Sequence, residues 1–387
     1  MDARVEIRTA PAEVAGELCS RFRCTKSECV ACAAVCPVPG AVRFAEGGAE
    51  IDAACVGCGA CASACPNGAI RMLDSDERLA GRMRSRMRPE AALRIGCARA
   101  RERVDLVVPC LSRLTEALLL EPIRGGASGV ELLAPDCSAC GFKKAAPQWE
   151  ATLAFARGLC ESAGIDAGRL MRVTVPHGTA EETSAPAGAP NTRRAMFRAI
   201  AEQWKESAAA QPEEAEQGPP AVFREVVRRH MENPKRAALL RVLERLPNTA
   251  IASKAVPAAD VFRMPLAQPE VDRECVGCNV CETLCPVGAL RHREEGGTWA
   301  LEFDGTLCTG CRVCEAACFH QAIRIPDMAD LSVLFGRPKT TLVSALRRTC
   351  KTCRESFLDA SSSELCPSCR LSGDRRESIV RQFFIGG

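Results

Sequence analysis

The 387-residue chain has no tyrosine, four histidines and only 4% aromatic residues. A GC-biased coding sequence accounts for the aromatic shortage as well as a redox rationale does, so that shortage carries no functional argument. The other absences exclude more. No nucleophile–His–acid constellation and no Gly-rich loop behind a strand can be found, which removes triad hydrolases and dinucleotide enzymes. No apolar stretch approaches the roughly 20 residues that cross a bilayer, and the charged first fifteen residues lack the apolar segment of a secretory signal. The expectation is a cytoplasmic protein with reduced thiols and no membrane span, peripheral association being left open. Lys and Arg exceed Asp and Glu by 51 to 48, so charge offers no footprint for nucleic acid.

Cysteine is what the chain has in excess, with 26 residues. Three runs place two, two and three residues between successive cysteines: Cys55-Cys58-Cys61-Cys65, Cys275-Cys278-Cys281-Cys285 and Cys308-Cys311-Cys314-Cys318. A fourth run, Cys24-Cys29-Cys32-Cys36, is irregular, with four residues after its first cysteine. Cysteines two residues apart seldom close a relaxed disulfide, whereas a loop with a thiolate at every third residue can wrap one face of an iron–sulfur cluster. Ligation removes the thiol protons, and a four-iron cluster with four thiolates carries about −2. Four such clusters would turn the formal charge of +3 to about −5. Near the end, Cys350-x-x-Cys353 and Cys366-x-x-Cys369 form paired knuckles suited to a tetrahedral four-sulfur metal site.

The cysteine runs divide the chain. Residues 1–75 and 265–328 each hold two, with short strand-like pieces at Arg43–Phe44 and Thr298–Phe303 between them. Residues 90–178 read as β/α: apolar runs at 91–95, 104–108, 130–133 and 170–175 alternate with helix-like stretches at 111–120 and 149–163. Cys97, Cys110 and Cys137 follow three of these runs directly, and Cys140 comes next. In a parallel sheet the carboxyl ends of the strands share an edge, where such folds bind ligands. Cys160 lies inside a helix and reads as a core residue. The basic stretch 78–103 reads as a solvated linker face, with a docking surface for an acidic redox partner as the alternative. Residues 179–260 read as linkers and helices, Ala/Pro/Glu/Ser-rich at 177–190 and 207–220 and helical at 192–205 and 222–246. The internal position of Arg193–Arg194 argues against an export signal.

The regular runs resemble bacterial-type ferredoxins with two 4Fe-4S clusters, and Cys36-Pro37, Cys65-Pro66 and Cys285-Pro286 carry the proline of that family. In that family each cluster takes three ligands from one run and the fourth from the other. The resemblance implies Cys55, Cys58 and Cys61 with Cys36, and Cys24, Cys29 and Cys32 with Cys65. In the second module it implies Cys275, Cys278 and Cys281 with Cys318, and Cys308, Cys311 and Cys314 with Cys285. At the irregular run Cys19 stands as the alternative to Cys24, or the site holds a three-iron cluster. Phe319-His320 replaces the proline of the last run, with His320 a surface or outer-shell residue rather than a ligand. The C-terminal knuckles resemble short zinc ribbons, implying zinc on Cys350, Cys353, Cys366 and Cys369; they are also similar to rubredoxin, whose metal is iron.

The middle region resembles the delta subunit of methyl-viologen-reducing hydrogenase. The resemblance rests on Val107-Val108-Pro109-Cys110, on 125–131, on Asp136-Cys137-x-x-Cys140-Gly141 and on Gly164-Ile165 with Arg169. It implies a 2Fe-2S cluster on Cys97, Cys110, Cys137 and Cys140, and partners such as a hydrogenase, a formate dehydrogenase or a flavoprotein subunit. The expected fold is an α+β multidomain protein: two dicluster ferredoxin-like modules flanking a small α/β parallel-sheet domain, with helical linkers and a zinc-ribbon-like knuckle at 345–372. The expected function is a multicluster electron-transfer subunit with no catalytic residue of its own, a component of an oxidoreductase complex. Two alternatives stand beside it: a reductase acting on a disulfide-type substrate at the middle-domain cluster, and a non-catalytic assembly factor for a redox enzyme.

Overall fold

The computed structural model describes residues 11–45, 47–100, 103–176, 223–246, 251–257, 265–336, 339–359, 363–366, 369–370 and 372–373. The expected linkers at 177–190 and 207–220, the helix at 192–205 and Arg193–Arg194 lie outside them.

In the first module, β1 (Ala12–Val14) pairs antiparallel with β4 (Ile70–Met72) and encloses the hairpin β2 (Val42–Ala45)–β3 (Gly48–Ile51). Two five-residue helices, Ala31–Val35 and Ala60–Ala64, each contain the third cysteine of a run. Each stops at the fourth cysteine, which is extended, because the proline after it disfavours continuing the helix.

A parallel four-stranded sheet follows: β5 (Ala92–Cys97), β6 (Leu106–Val108), β7 (Gly129–Ala134) and β8 (Leu170–Thr174), in the spatial order β6-β5-β7-β8. Helices Asp76–Arg86, Glu116–Arg124 and Ala146–Ser162 cover it. The basic stretch keeps the solvated face expected of it, with Arg84, Arg86 and Arg88 exposed, but it begins as a helix of this domain and not as a linker. Ser75 caps its helix, Leu79 and Met83 are buried in the sheet's core, and Arg82 and Arg84 pair with Asp74 and Glu121. Burying Leu79 and Met83 contributes about 1.5–3 kcal/mol each, more than the roughly 0–1 kcal/mol of an exposed ion pair.

The second module repeats the first. β10 (Glu270–Val271) pairs with β13 (Ile323–Arg324) around the hairpin β11 (Leu290–Glu295)–β12 (Thr298–Phe303), with helices Val280–Leu284 and Val313–Ala317. Its sheet continues through β15 (Thr340–Thr349) to β16 (Ser356–Asp359), so the C-terminal cysteines are mounted on this module. Between the modules, β9 (Ala255–Pro257) pairs with β14 (Met328–Asp330). The middle core also takes Leu239, Val242 and Leu243 from helix Pro234–Leu243 and Leu331, Val333 and Leu334 from the turn after β14. It is therefore assembled from segments well outside 90–178.

Candidate metal centres

Each regular run turns in the same way. Gly57, Gly277 and Gly310, one residue before the second cysteine, have φ of 68°, 69° and 66°. Gly59, Asn279 and Arg312, one residue after it, are also left-handed and cap the short helices. Alternating handedness turns successive N–H groups to one side, a concavity that suits an anionic group. The strain at Asn279 is held by Trp299, whose Nε1 donates to Asn279 Oδ1 at 3.2 Å. At Gly59 a Cβ would strike the side chain of Arg113, so glycine lets the middle domain approach that loop.

The cysteines gather in sets. Burial pushes Cys58 up to about 12, with Cys110, Cys36 and Cys55 adding to it. Burial and then the sulfurs of Cys58, Cys55, Cys32 and Cys36 hold Cys61 well above the ordinary thiol range. Cys36, Cys55, Cys58 and Cys61, here called site I, line one cavity together with apolar Val38 and Val56. At site II, burial and the sulfurs of Cys65, Cys29 and Cys19 raise Cys32 to about 12. Cys19 packs with Cys32 in one apolar cluster, while Cys24 is buried at the end of helix Ser20–Arg23.

At site III, burial and the sulfurs of Cys311, Cys308, Cys285 and Cys281 hold Cys314 well above the ordinary range. Burial, Cys285 and Cys29 raise Cys311 to about 11. At site IV, burial and the sulfurs of Cys275, Cys278 and Cys318 raise Cys281 to about 12. Cys278 is exposed, as are Phe319 and His320, whose rings touch. Buried thiols this reluctant to ionise become thiolates when a cation compensates them, which is what a soft metal does.

The middle cysteines converge as well. β5, β6 and β7 end at one edge, beside the point where strand order reverses from β5 to its two neighbours. Burial raises Cys137, with Cys110 and Cys97 next and Cys140 also contributing. Cys110 reaches beyond this set: it packs with Cys58 of site I, Val35 and Ala145 in a single apolar cluster. Cys160 is fully buried in its helix and stands apart as a core thiol, raised by burial to about 11.

Residues 223–246, read from sequence only as linker and helix, run between the modules. Asn233 Nδ2 donates to Pro66 O at 3.0 Å, and Met231 N–H donates to Pro286 O at 2.7 Å. Those prolines follow the equivalent cysteines Cys65 and Cys285. Lys235 donates to Ser63 O, pairs with Glu116 at 3.5 Å and acts on Cys65. Arg236, 4% exposed, donates from Nη2 to Cys308 O at 2.7 Å, and its buried Nη1 has no partner. Burial lowers it to about 10, against the sulfur of Cys308 and Glu116, so it stays charged at neutral pH. Arg23, fully buried, gives its guanidinium to the carbonyls of Glu17, Val227 and Arg229 and lies in the field of Cys285 and Cys311. Sequence reasoning passed over Arg23, Lys235 and Arg236; no motif marks them.

The four C-terminal cysteines close on one another, all sulfurs lying within 4.8 Å. Cys353 and Cys366 are 3.7 Å apart, close to the ~3.8 Å edge of a tetrahedron with 2.3 Å metal–sulfur bonds. Backbone N–H groups of Cys366 and Cys353 hold the Cys350 thiol down to about 6, while the sulfurs of Cys366 and Cys353 push Cys369 up to about 12. The group is able to hold a metal ion.

Comparison with known proteins finds three family matches along the chain. Residues 274–322 match the family model of the 4Fe-4S dicluster domain, and residues 51–71 match that of the 4Fe-4S binding domain. Residues 98–187 match the model of the methyl-viologen-reducing hydrogenase delta subunit. No curated protein matches the chain. The chain thus carries 4Fe-4S ferredoxin domains on either side of a domain like the hydrogenase delta subunit, which supports a role in electron transfer. No helix among the described residues is long and apolar enough to cross a membrane.

Proposed function

We propose that the protein is an electron-transfer subunit whose five cysteine sites form one continuous path, from the middle domain through sites I, II and III to site IV. The observation that carries this reading is that each set lies in the field of the next. Cys110 packs in one apolar cluster with Cys58, and Cys61 in another with Cys32, while the sulfur of Cys29 acts on Cys311 and that of Cys281 on Cys314. Electrons pass between centres that are close, and this order leaves no set isolated.

The residues fit the groups assigned to them. Four soft sulfurs surround an apolar-walled cavity at site I, and an orphaned donor, Arg236 Nη1, sits beside site III. Cys36, Cys55, Cys58 and Cys61 would hold one 4Fe-4S cluster. Cys19, Cys29, Cys32 and Cys65 would hold the second, with Cys19 taking the place of Cys24. Cys285, Cys308, Cys311 and Cys314 would hold the third, and Cys275, Cys278, Cys281 and Cys318 the fourth. A 2Fe-2S cluster would take Cys97, Cys110, Cys137 and Cys140. Bound there, each cluster supplies a centre that gains and loses one electron. The chain's own residues position these sulfurs, bury Cys32, Cys58, Cys61 and Cys285 and leave Cys278 near the surface as an outlet.

Cys97, Cys110, Cys137 and Cys140 would together supply the four sulfurs of a two-iron cluster, which would leave no ligand position for a substrate. That favours the path over a disulfide-type reductase at that site. Zinc on Cys350, Cys353, Cys366 and Cys369 is the structural reading of the C-terminal group, since its four sulfurs close on one another and Cys350, Cys366 and Cys369 pack with Phe357 in a small cluster that holds no cysteine of the other sets. The likeness of the middle domain to a hydrogenase subunit supports a hydrogenase, a formate dehydrogenase or a flavoprotein as partner. Anaerobic purification from native cells tests the reading: the chain is expected with about sixteen irons in four-iron clusters and two more in the middle domain. It should co-purify with a redox enzyme and lose electron delivery in Cys110→Ala while dithionite still reduces sites I to IV. A chain with full iron that isolates without a redox partner sinks it.

A further inference from the structure

Site III differs from the others in the charge around it. Arg23 and Arg236 are 0% and 4% exposed, and both lie in the field of its sulfurs, Arg23 by Cys285 and Cys311 and Arg236 by Cys308. Neither forms an ion pair among the described residues. Every hydrogen bond of the Arg23 guanidinium goes to a backbone carbonyl, as does that of Arg236 Nη2. Glu17 and Glu116 act on them only at longer range. Two buried guanidinium groups without a bonded anion are costly, and a fold retains them where a counter-charge is supplied. Lys235, the cation beside Cys65 of site II, is by contrast paired with Glu116.

We propose that Arg23 and Arg236 are the counter-charges of the site III cluster and make it the highest-potential centre of the path, where an electron rests between arrival and departure. The inference rests on the path reading above and adds an energy profile to it. An oxidised four-iron cluster with four thiolates is a dianion and gains one further negative charge on reduction. Arg23 and Arg236 favour the more negative state, because an opposite charge held in a poorly solvated site acts strongly. Arg236 Nη1, buried without a partner on a side chain that bonds Cys308 O, would be free to donate to a sulfur of a bound cluster, a bond that would strengthen as that sulfur becomes more negative. Both guanidinium groups keep their protons throughout, so the step moves one electron and no proton.

The test is a redox titration of the full holo-chain with dithionite, followed by electron paramagnetic resonance. The site III signal is identified by its loss in Cys314→Ser. In the wild type that signal is expected first as the potential falls. Arg236→Met and Arg23→Met should each lower its reduced-to-oxidised ratio at fixed potential about tenfold, equivalent to ~59 mV for one electron. Arg236→Lys, which keeps the charge, should stay near the wild type, and the signals of sites I and IV should move less. An unshifted site III signal in a fully iron-loaded Met variant overturns the assignment, as does its appearance last in the wild type. Should Arg236→Met isolate four irons short, Arg236→Gln and Arg23→Met decide by the same reading. A wild type that lacks the site III cluster altogether overturns the path itself, a separate failure recorded by iron content alone.

Discussion

The Thr309 hydroxyl donates to Asn67 Oδ1 at 2.5 Å, in a buried contact between residues 242 apart in sequence. Thr309 follows Cys308 of site III, and Asn67 stands two residues after Cys65 of site II. Asn67 spends its amide on Leu18 O at 2.9 Å and Ser20 Oγ at 3.1 Å, beside Cys19. One side chain thus ties the loops of two cysteine sets from opposite ends of the chain.

Removing that tie strands several buried polar groups. Asn67→Ala should destabilise the holo-protein by about 2–4 kcal/mol, and Thr309→Val by about 1–2 kcal/mol. The check is the thermal midpoint of cluster loss followed in the visible spectrum, where Asn67→Ala should fall further than Thr309→Val.

Cys19→Ser and Cys24→Ser separate the two ligand assignments at site II. Loss of one four-iron cluster, or its conversion to a three-iron form, is expected for Cys19→Ser and unaltered iron for Cys24→Ser. Iron analysis with electron paramagnetic resonance reads both, and the reverse pattern returns Cys24 to the site.

Cys110→Ala and Cys137→Ala should each remove the two-iron signature, taking about two irons per chain while the four-iron signals persist. A full complement of iron in either variant shows that the middle cysteines are structural thiols.

Gly68 has φ of 65°, and a Cβ there would strike Asn233 Oδ1; Gly288, its counterpart after Cys285, has φ of 69° and would strike His230 Nδ1. Left-handed strain costs about 1–2 kcal/mol, and the displaced strap adds to it. Gly68→Ala and Gly288→Ala should both lower the thermal midpoint by several degrees and raise amide exchange at 223–246. Unchanged exchange there means that the strap does not depend on these turns.

Elemental analysis should find one zinc per chain, lost in Cys353→Ser without change in the iron signals or in electron delivery. Iron in its place, with a visible thiolate–iron band, makes the C-terminal group a redox centre.

Much of this was legible in the sequence. Regular spacing marks ligands because the cluster imposes local geometry on a short loop, and apolar runs ending in Cys97, Cys110 and Cys137 mark the carboxyl edge of a parallel sheet. Cys19 was legible only as an alternative to Cys24, since its place beside Cys32 depends on how helix Ser20–Arg23 packs. Helix Asp76–Arg86 reads as solvated from its arginines, yet Leu79 and Met83 decide its position because apolar burial outweighs exposed charge.

By itself, then, the sequence determined the chemistry: soft ligands in repeated loops, a parallel-sheet domain between two modules and a separate four-sulfur group. Only the tertiary structure decided the order of the sites and the charges between them. Cys58 packs with Cys110, Arg236 bonds the carbonyl of Cys308, and Cys29 and Arg23 act on the sulfurs of site III, all of them residues from distant parts of the chain. Ligand spacing is a local property, legible over ten residues, whereas the field at a buried centre is the sum over whatever the fold brings near it.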